Sequence, residues 1–257
     1  MPEKVPVHLI FQKEEIKMKK AFIALMLLAL PAFAADIYLA GDSTMQGYDK
    51  SIYPVTGWGA KLQKHCKKNV KVHNLARSGE SSKSYYTHEY YGLLLKAVQP
   101  GDYVFVQFGH NDAHNDKRNT VPETTFKDYL KKYIADIRAK KATPVLLTQT
   151  TICRFCKDGK VYNTEIEQRF IKATREVAKE MKVELIDHNA WALKNVSALG
   201  ETKAKTLYMY LKKGEYPAYP DGRDDDCHFH ERGAEFFAAG AVKQAKADKL
   251  KIARLFK

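Results

Sequence analysis

The sequence predicts an α/β fold, a doubly wound three-layer α/β/α sandwich around a central parallel sheet of about five strands. Two observations predict it. From Asp36 onward, short runs rich in β-forming residues alternate with longer stretches of helical pattern. Within segment 123–140, apolar residues recur at spacings of three and four, which gives a helix one apolar face. Strict alternation of strands and helices requires parallel strands, joined by crossover helices on both faces of the sheet.

Five short segments are predicted to be strands because β-branched and aromatic residues are frequent in them. In chain order these strands are Asp36–Ala40, Val70–Leu75, Tyr103–Phe108, Pro144–Gln149 and Val183–Ile186.

Longer stretches with helical patterns lie between and after these strands. The predicted helices are Gly57–Cys66, Tyr86–Val98, Glu123–Lys140, Thr164–Met181 and, after a segment rich in Asp and His, Glu231–Leu250. The polar stretch Gly200–Asp226 is expected to form a surface loop that carries one helix.

Residues 1–34 are predicted to be an N-terminal extension and a signal peptide. A charged start at Met18 precedes the apolar run Ala21–Leu30 and a small-x-small cleavage site that ends at Ala34. The run is shorter than the roughly 20 residues that span a bilayer, which favours cleavage over a membrane anchor. We therefore expect translation to start at Met18, cleavage after Ala34, and one domain over residues 35–257. The protein is then secreted or periplasmic and has no membrane association after cleavage.

The 257-residue chain has a formal charge of +13 at pH 7. Loss of the five lysines and three acidic residues in 1–34 leaves about +11. Such a charge suits a polyanionic partner, and a solvated lysine surface is the alternative. Nucleic acid is not expected as a partner, because no recognition motif accompanies the charge.

Four cysteines remain in residues 35–257, namely Cys66, Cys153, Cys156 and Cys227. In an oxidising compartment most of them are expected to be paired, and the sequence leaves the pairing open.

The ends of the predicted strands carry the candidate functional residues. In open α/β sheets, ligands bind beyond the carboxyl ends of the strands. Ser43 follows the first strand, Gly79 the second, Asn111 the third and Arg154 the fourth. We therefore expect these residues to meet at one edge of the sheet.

A nucleophilic serine needs a base within hydrogen-bond reach and a third group that orients the base. Asp225 lies three residues before His228, so one loop can present both, with the carboxylate on one ring nitrogen and Ser43 on the other. The competitors on the same loop are Asp224, Asp226 and His230. Two alternatives stay open: Ser43 caps a helix, and the loop is an acidic surface segment with incidental histidines.

Attack by a serine on an ester also creates a negatively charged oxygen, which needs preorganised donors. Gly79 offers a backbone N–H, Asn111 a side-chain amide, and Ser43 its own N–H. The alternatives are an ordinary turn glycine and an ordinary loop asparagine.

Together, four segments resemble the four blocks of SGNH (GDSL-type) hydrolases. They are Gly-Asp-Ser-Thr at 41–44, Asn-Leu-Ala-Arg-Ser-Gly at 74–79, Gly-His-Asn-Asp at 109–112 and Asp-Asp-Cys-His at 225–228. The resemblance spans nearly all of residues 35–257 and implies the flavodoxin-like SGNH hydrolase fold. It also implies that Ser43 is the nucleophile, that Ser43, Gly79 and Asn111 form the oxyanion hole, and that Asp225 orients the base His228.

Further details of these motifs are similar to rhamnogalacturonan acetylesterases, carbohydrate esterase family 12. They are Gly-Trp-Gly at 57–59, Gln-Phe-Gly-His-Asn-Asp at 107–112, and His228-Phe229 leading to Gly233-Ala234. This resemblance implies removal of O-acetyl groups from a plant cell-wall polysaccharide, through an acyl-enzyme and without metal or cofactor. An acidic polysaccharide agrees with the positive charge. Candidate substrate contacts are Trp58, His110 and Arg154. The alternative interpretation of Trp58 is a packed core residue. Arg154 is expected to bind a substrate carboxylate bidentately.

Three rival interpretations remain. Cys153, Cys156 and Cys227 with His228 or His230 form a possible zinc site, although a single Cys-x-x-Cys in an exported chain favours oxidised cysteines. A binding module for acidic polysaccharide would keep the fold without the chemistry. An esterase with another substrate would act on xylan, another acetylated glycan, a lipid or a thioester.

Overall fold

A five-stranded parallel sheet forms the centre of the protein in a computed structural model that describes residues 35–257. The strands are β1 (Ile37–Gly41), β2 (Val72–Asn74), β3 (Tyr103–Gln107), β4 (Thr143–Leu147) and β5 (Glu184–Ile186). Their order is β2-β1-β3-β4-β5, and every neighbouring pair is parallel. The predicted α/β fold class is confirmed. The signal peptide expected within residues 1–34 lies outside the described residues.

Helices connect the strands and cover both faces of the sheet. They are α1 (Ser82–Thr87), α2 (Glu89–Ala97), α3 (Lys127–Ala139), α4 (Glu165–Glu180), α5 (His188–Leu199), α6 (Glu201–Lys205) and α7 (Glu231–Ala247). Shorter 3₁₀ segments are Lys50–Ile52, Trp58–His65 and Lys251–Leu255, and a π-helical turn, Pro122–Phe126, precedes α3. Between Ala35 and Lys257, no helix is both long and apolar enough to cross a membrane.

One helix prediction was wrong and one helix was missed. Segment Tyr86–Val98 is not one helix, because His88 has an extended backbone and ends α1 while it caps α2, where its Nδ1 accepts from the backbone N–H of Tyr90 at 3.2 Å. Helix α5 was missed. Its buried positions include His188 and Asn189, so polar residues interrupt the apolar pattern on which the prediction depended.

The alternation of side chains along β1 builds a separate core on each face of the sheet. Ile37 and Leu39 join a cluster with Trp58, Ala192 and Phe237, under α5, α7 and the long 3₁₀ segment. Tyr38 and Ala40 join a second cluster under α2, α3 and α4, whose members include Leu94, Leu130, Ile134 and Phe170. The three layers of the sandwich follow from these two cores.

The order of the strands places the edge at which a site is expected. In chain order, β2 is added on one side of β1, and β3, β4 and β5 are then added one after another on the other side. The direction in which strands are added therefore reverses between β1 and β3. In open parallel sheets such a reversal leaves a crevice at the carboxyl ends of the two strands. Ser43 follows β1 and Asn111 follows β3, so both lie at this crevice.

Candidate active site

Ser43 lies in a tight turn directly after β1 and is 7% exposed. The Asp42 carbonyl accepts from the N–H of Met45 at 3.1 Å, and the Asp42 carboxylate accepts from the N–H and hydroxyl of Thr44 at 2.9 and 2.7 Å. Because Asp42 closes this turn and no helix starts there, the helix-cap alternative for Ser43 is wrong. The Ser43 hydroxyl is left to bond elsewhere.

The loop that leads into α7 brings a histidine and a carboxylate to this hydroxyl. His228 Nε2 lies 3.1 Å from Ser43 Oγ, and His228 Nδ1 lies 2.8 Å from Asp225 Oδ2. The other carboxylate oxygen of Asp225 accepts from the backbone N–H groups of Cys227 and His228, each at 2.9 Å. The structure therefore joins the three residues in one hydrogen-bonded chain.

The competing residues of the loop bond elsewhere. Asp224 is exposed, and Asp226 Oδ2 lies 3.4 Å from Nε of Arg154. The ring of His230 is buried, with Nε2 at 2.9 Å from the hydroxyl of Tyr216, and its Nδ1 accepts from the N–H of Arg232 at 3.2 Å as the N-cap of α7. Of the acidic and histidine residues on this loop, the hydrogen-bonded chain to Ser43 uses Asp225 and His228.

Arg223 was not predicted and also holds Asp225. Its Nε donates to Asp225 Oδ2 at 2.9 Å, and its Nη2 forms an ion pair with the same oxygen. Burial alone raises the pKa of Asp225, but the hydrogen bonds from His228 and Cys227 outweigh it and hold that pKa well below its usual range. Asp225 thus stays ionised. The sequence signal that could have identified Arg223 is its spacing from Asp225, because residues two apart in an extended segment face the same side.

Asn111 lines the same cavity as Ser43, and its amide is oriented by two neighbours. Its Nδ2 donates to the carbonyl of Glu80 at 3.0 Å, and its Oδ1 lies 3.4 Å from Nη1 of Arg118. A backbone carbonyl only accepts hydrogen bonds and a guanidinium only donates them, so these contacts fix which end of the amide is the nitrogen. Among residues 35–257, one N–H of Asn111 has no acceptor and remains free to donate.

Asp112 anchors the loop that carries Asn111. Its buried carboxylate accepts from the N–H of Ser82 at 3.1 Å and from the hydroxyl of Thr120 at 2.8 Å. Burial raises the pKa of Asp112 to about 6, against these hydrogen bonds, which lower it. The loop is therefore tied to the start of α1.

Gly79 has a positive φ of 79°, a conformation that favours glycine. An added Cβ would meet no atom of the described chain within 4 Å, so the backbone is open to approach. Gly79 lines a neighbouring cleft with Glu80 and Arg118, whereas Ser43 and Asn111 line one common cavity. Nη1 of Arg118 lies 3.4 Å from both the Gly79 carbonyl and Asn111 Oδ1, and thus links the two residues.

The cavity at Ser43 has a volume of about 530 Å³ and is called the Ser43 cavity below. Its walls include His110, Asn111, Arg154, Glu167 and His228. Trp58 is not among them, and its role as a substrate contact was wrong. The side chain is fully buried, and its Nε1 donates to Oε1 of Gln107 at 2.9 Å, which makes it part of the core.

His110 and Arg154 do line the Ser43 cavity. Nε2 of His110 lies 3.2 Å from the hydroxyl of Thr150, Nδ1 is buried without a hydrogen-bond partner within residues 35–257, and burial lowers the pKa of the ring. Arg154 forms ion pairs with Glu167 at 2.9 Å and with Asp226 at 3.4 Å. The guanidinium that was expected to bind a substrate carboxylate thus already forms ion pairs with two carboxylates of the protein.

The expected pairing of cysteines was wrong, since all four are free thiols within the described residues. The thiol of Cys66 lies 3.4 Å from the Leu62 carbonyl, and that of Cys156 lies 2.8 Å from the Asp158 carboxylate, so their surroundings differ. Burial raises the pKa of Cys66 to about 11 and that of Cys153 to about 12. The described part of the chain also contains no group of three or more His, Cys, Asp and Glu side chains placed to hold a metal ion.

Residues 39–236 match the sequence model of the GDSL-like lipase/acylhydrolase family. This range includes the turn with Ser43, the loop with Asn111 and the segment with His228.

The chain belongs to this family.

Named relatives agree with the membership of the GDSL-like family. The rhamnogalacturonan acetylesterase RhgT of Bacillus subtilis is 34% identical over 77% of this chain and 84% of its own length. A second Bacillus subtilis protein, YesY, named as a probable rhamnogalacturonan acetylesterase, is 37% identical over 83% of this chain and 93% of its own length. The crystal structure of Bacillus subtilis YxiM is 26% identical and superposes with a TM-score of 0.73, over 86% of this chain and 58% of that chain. As a GDSL-like family member with these relatives, the protein is a carboxylic ester hydrolase.

Proposed function

We propose that the protein is an exported serine esterase that removes O-acetyl groups from rhamnogalacturonan or a related pectic polysaccharide. The observation that carries the proposal is the hydrogen-bonded chain Ser43–His228–Asp225 at the wall of the Ser43 cavity. The substrate is proposed from the names of the relatives RhgT and YesY.

In the proposed first step, Ser43 Oγ attacks the acetyl carbonyl carbon while His228 Nε2 takes the hydroxyl proton. The ionised Asp225 accepts from Nδ1–H of His228, which fixes the tautomer and stabilises the ring after it gains the proton. When the bond between the acetyl carbon and the sugar oxygen breaks, His228 passes the proton to that oxygen, and the acetyl group stays on Ser43.

In the proposed second step, a water molecule loses a proton to His228 and attacks the acetyl-serine, and acetate leaves as Ser43 regains its proton. During both steps the carbonyl oxygen carries negative charge. The free N–H of Asn111 and the backbone N–H groups of Ser43 and Gly79 are the proposed donors to it.

The walls of the Ser43 cavity combine polar and apolar groups. The Arg154–Glu167 ion pair, His110 and Asn111 suit a hydroxyl-rich sugar, and Ile152, Ile166 and Phe170 supply apolar surface beside them. Export is proposed from the charged, apolar and small-residue pattern that ends at Ala34. N-terminal sequencing of material collected outside the cytoplasm is expected to start at or close to Ala35, and an intact Met1 on that material would contradict export with cleavage.

Release of acetate from a panel of substrates tests the proposed function. The panel contains acetylated rhamnogalacturonan, acetylated xylan and an aryl acetate, and we expect the highest kcat/KM on rhamnogalacturonan. Ser43→Ala is expected to abolish release from all three with little change in Tm, because the side chain is small and ends no strand or helix. Preference for xylan would change the substrate assignment, wild-type turnover in Ser43→Ala would overturn the mechanism, and polysaccharide binding without acetate release would identify a binding module.

A further inference from the structure

A second cleft of about 430 Å³ lies beside the Ser43 cavity, between α1 and the loop after β3. Its walls include Gly79, Glu80, Lys83, Lys117 and Arg118, and it is called the Lys83–Lys117 cleft below. The two spaces adjoin at the Asn111 side chain, which lines the Ser43 cavity and donates to the Glu80 carbonyl of the cleft at 3.0 Å. The two spaces are therefore neighbours that share the Asn111–Glu80 contact as a wall.

The cleft carries unpaired positive charge. The Arg118 guanidinium forms a forked ion pair with Asp116, at 3.0 and 2.6 Å, so its charge is balanced. Lys83 is partly exposed and Lys117 is exposed, and neither ammonium group lies within 4.0 Å of a carboxylate in the part of the chain that the structure describes. The cleft also contains the Glu80 carboxylate, whose Oε1 lies 4.0 Å from Nε2 of His88. The two ammonium groups outnumber this carboxylate and are available to an anion from outside.

The Ser43 cavity differs from the cleft in this respect. Its guanidinium, that of Arg154, is held by Glu167 and Asp226. The space next to the nucleophile therefore has no excess of positive charge, which suits a neutral acetyl ester, while the walls of the neighbouring cleft keep one positive charge in excess. A substrate with an acidic group beside its acetylated residue fits this arrangement.

We propose that the Lys83–Lys117 cleft is a binding subsite for the carboxylate of a uronic acid residue that neighbours the acetylated sugar in the same polysaccharide chain. This inference rests on the proposed function, because it assumes that the acetyl ester is bound at Ser43. The carboxylate would contact the two ammonium groups as exposed ion pairs, each of which changes affinity by about two- to fivefold at low ionic strength.

The test measures binding of an unacetylated oligogalacturonate to Ser43→Ala protein by calorimetry. Lys83→Gln combined with Lys117→Gln is expected to raise Kd by about five- to twentyfold at low salt, and the difference is expected to shrink at 0.5 M salt. A neutral oligosaccharide of the same length is expected to bind equally to both proteins. An unchanged Kd for oligogalacturonate in the double variant would overturn the subsite.

Lys67→Gln with Lys68→Gln is the matched control. Both lysines are exposed and lie before β2, at the amino edge of the sheet, so the same loss of charge is expected to leave Kd within twofold. An equal loss in this control would assign the effect to overall charge and overturn the subsite.

Kinetics on an aryl acetate separate the subsite from the proposed function. The Lys83→Gln/Lys117→Gln protein with an intact Ser43 is expected to keep wild-type kcat/KM on this small neutral ester, because the lysines lie outside the Ser43 cavity. Arg118 is left unchanged, since it also contacts Asn111. The two proposals can therefore fail separately. If the protein with intact Ser43 shows no esterase activity, the proposed mechanism is contradicted, and weaker oligogalacturonate binding by the double variant still supports the subsite.

Discussion

The two sides of Ser43 are built differently. On one side, Ser43, His228 and Asp225 form the proton-transfer side, in which each group already bonds the next at 3.1 and 2.8 Å. On the other, Asn111 and Gly79 form the proposed oxyanion side, in which one amide N–H of Asn111 has no acceptor and the space beside Gly79 is open among the described residues.

This difference reflects what each side is proposed to do. A proton moves between groups that are already hydrogen-bonded, so the relay is assembled before the substrate arrives. Donors to an oxyanion act on a charge that exists only along the reaction path, so they must be held in place and unoccupied. Arg223 and Arg118 match this division, because one holds Asp225 and the other holds Asn111.

The largest expected effect comes from the proton-transfer side. His228→Ala removes the only ring that is hydrogen-bonded to Ser43 Oγ in the described chain, so kcat on an aryl acetate is expected to fall on the order of 10⁶-fold, or about 8 kcal/mol. Steady-state kinetics and a thermal melt measure the effect, and Tm is expected to change little.

His230→Ala is the matched control on the same loop. It removes the N-cap of α7 and the contact with Tyr216, so it is expected to cost about 1 kcal/mol of stability with kcat within severalfold of wild type. Equal losses of kcat in the two variants would contradict the assignment of His228 and reopen the metal-site interpretation.

A smaller effect is expected on the oxyanion side. Asn111→Ala is expected to lower kcat by about 10²- to 10³-fold with KM nearly unchanged, because the amide strengthens its bond only in the transition state. Loss of the bond to the Glu80 carbonyl also lowers the free energy of unfolding by about 1 kcal/mol.

Asn119→Ala separates these two contributions. Asn119 lies on the same loop and its amide donates to the Asp112 carbonyl at 3.4 Å, but it does not line the Ser43 cavity. This variant is expected to change stability slightly and kcat not at all. If Asn111→Ala behaves the same way, Asn111 supports only its own loop.

The smallest expected effect on catalysis comes from His188, which is buried away from the site and acts on stability instead. Its Nε2 lies 3.0 Å from the Phe237 carbonyl, and burial lowers its pKa to about 4 despite that bond. Between pH 6.5 and 4 the unfolded chain therefore takes up a proton that the folded chain does not. The contribution of neutral His188 to the free energy of unfolding is complete above pH 6.5, and about 3 kcal/mol of it is lost as the pH falls to 4.

Urea unfolding at several pH values between 7 and 4.5 measures this loss. The free energy of unfolding of His188→Gln is expected to be lower than that of the wild type at pH 7, and the gap is expected to narrow as pH falls, because the variant lacks the titrating ring. Parallel decreases in both proteins would show that His188 is not protonated differently on unfolding.

Local patterns were enough to predict the α/β fold and the strands, because periodicity and composition report on short segments of backbone. The same patterns failed where a single residue decides the outcome. His88 breaks the predicted helix Tyr86–Val98, since its side chain caps the second half, and α5 was missed because it buries polar residues.

By itself, the sequence determined which residues follow the strands of the sheet, and the resemblance to known blocks assigned Ser43, Asp225 and His228 their expected roles. Only the tertiary structure decided which histidine reaches Ser43, because the contact joins residues 185 positions apart. It also decided that Trp58 belongs to the core, that two carboxylates of the protein bind Arg154, and that the Lys83 ammonium group lies more than 4.0 Å from every carboxylate in the described chain. These outcomes depend on contacts between distant segments, which local periodicity does not encode.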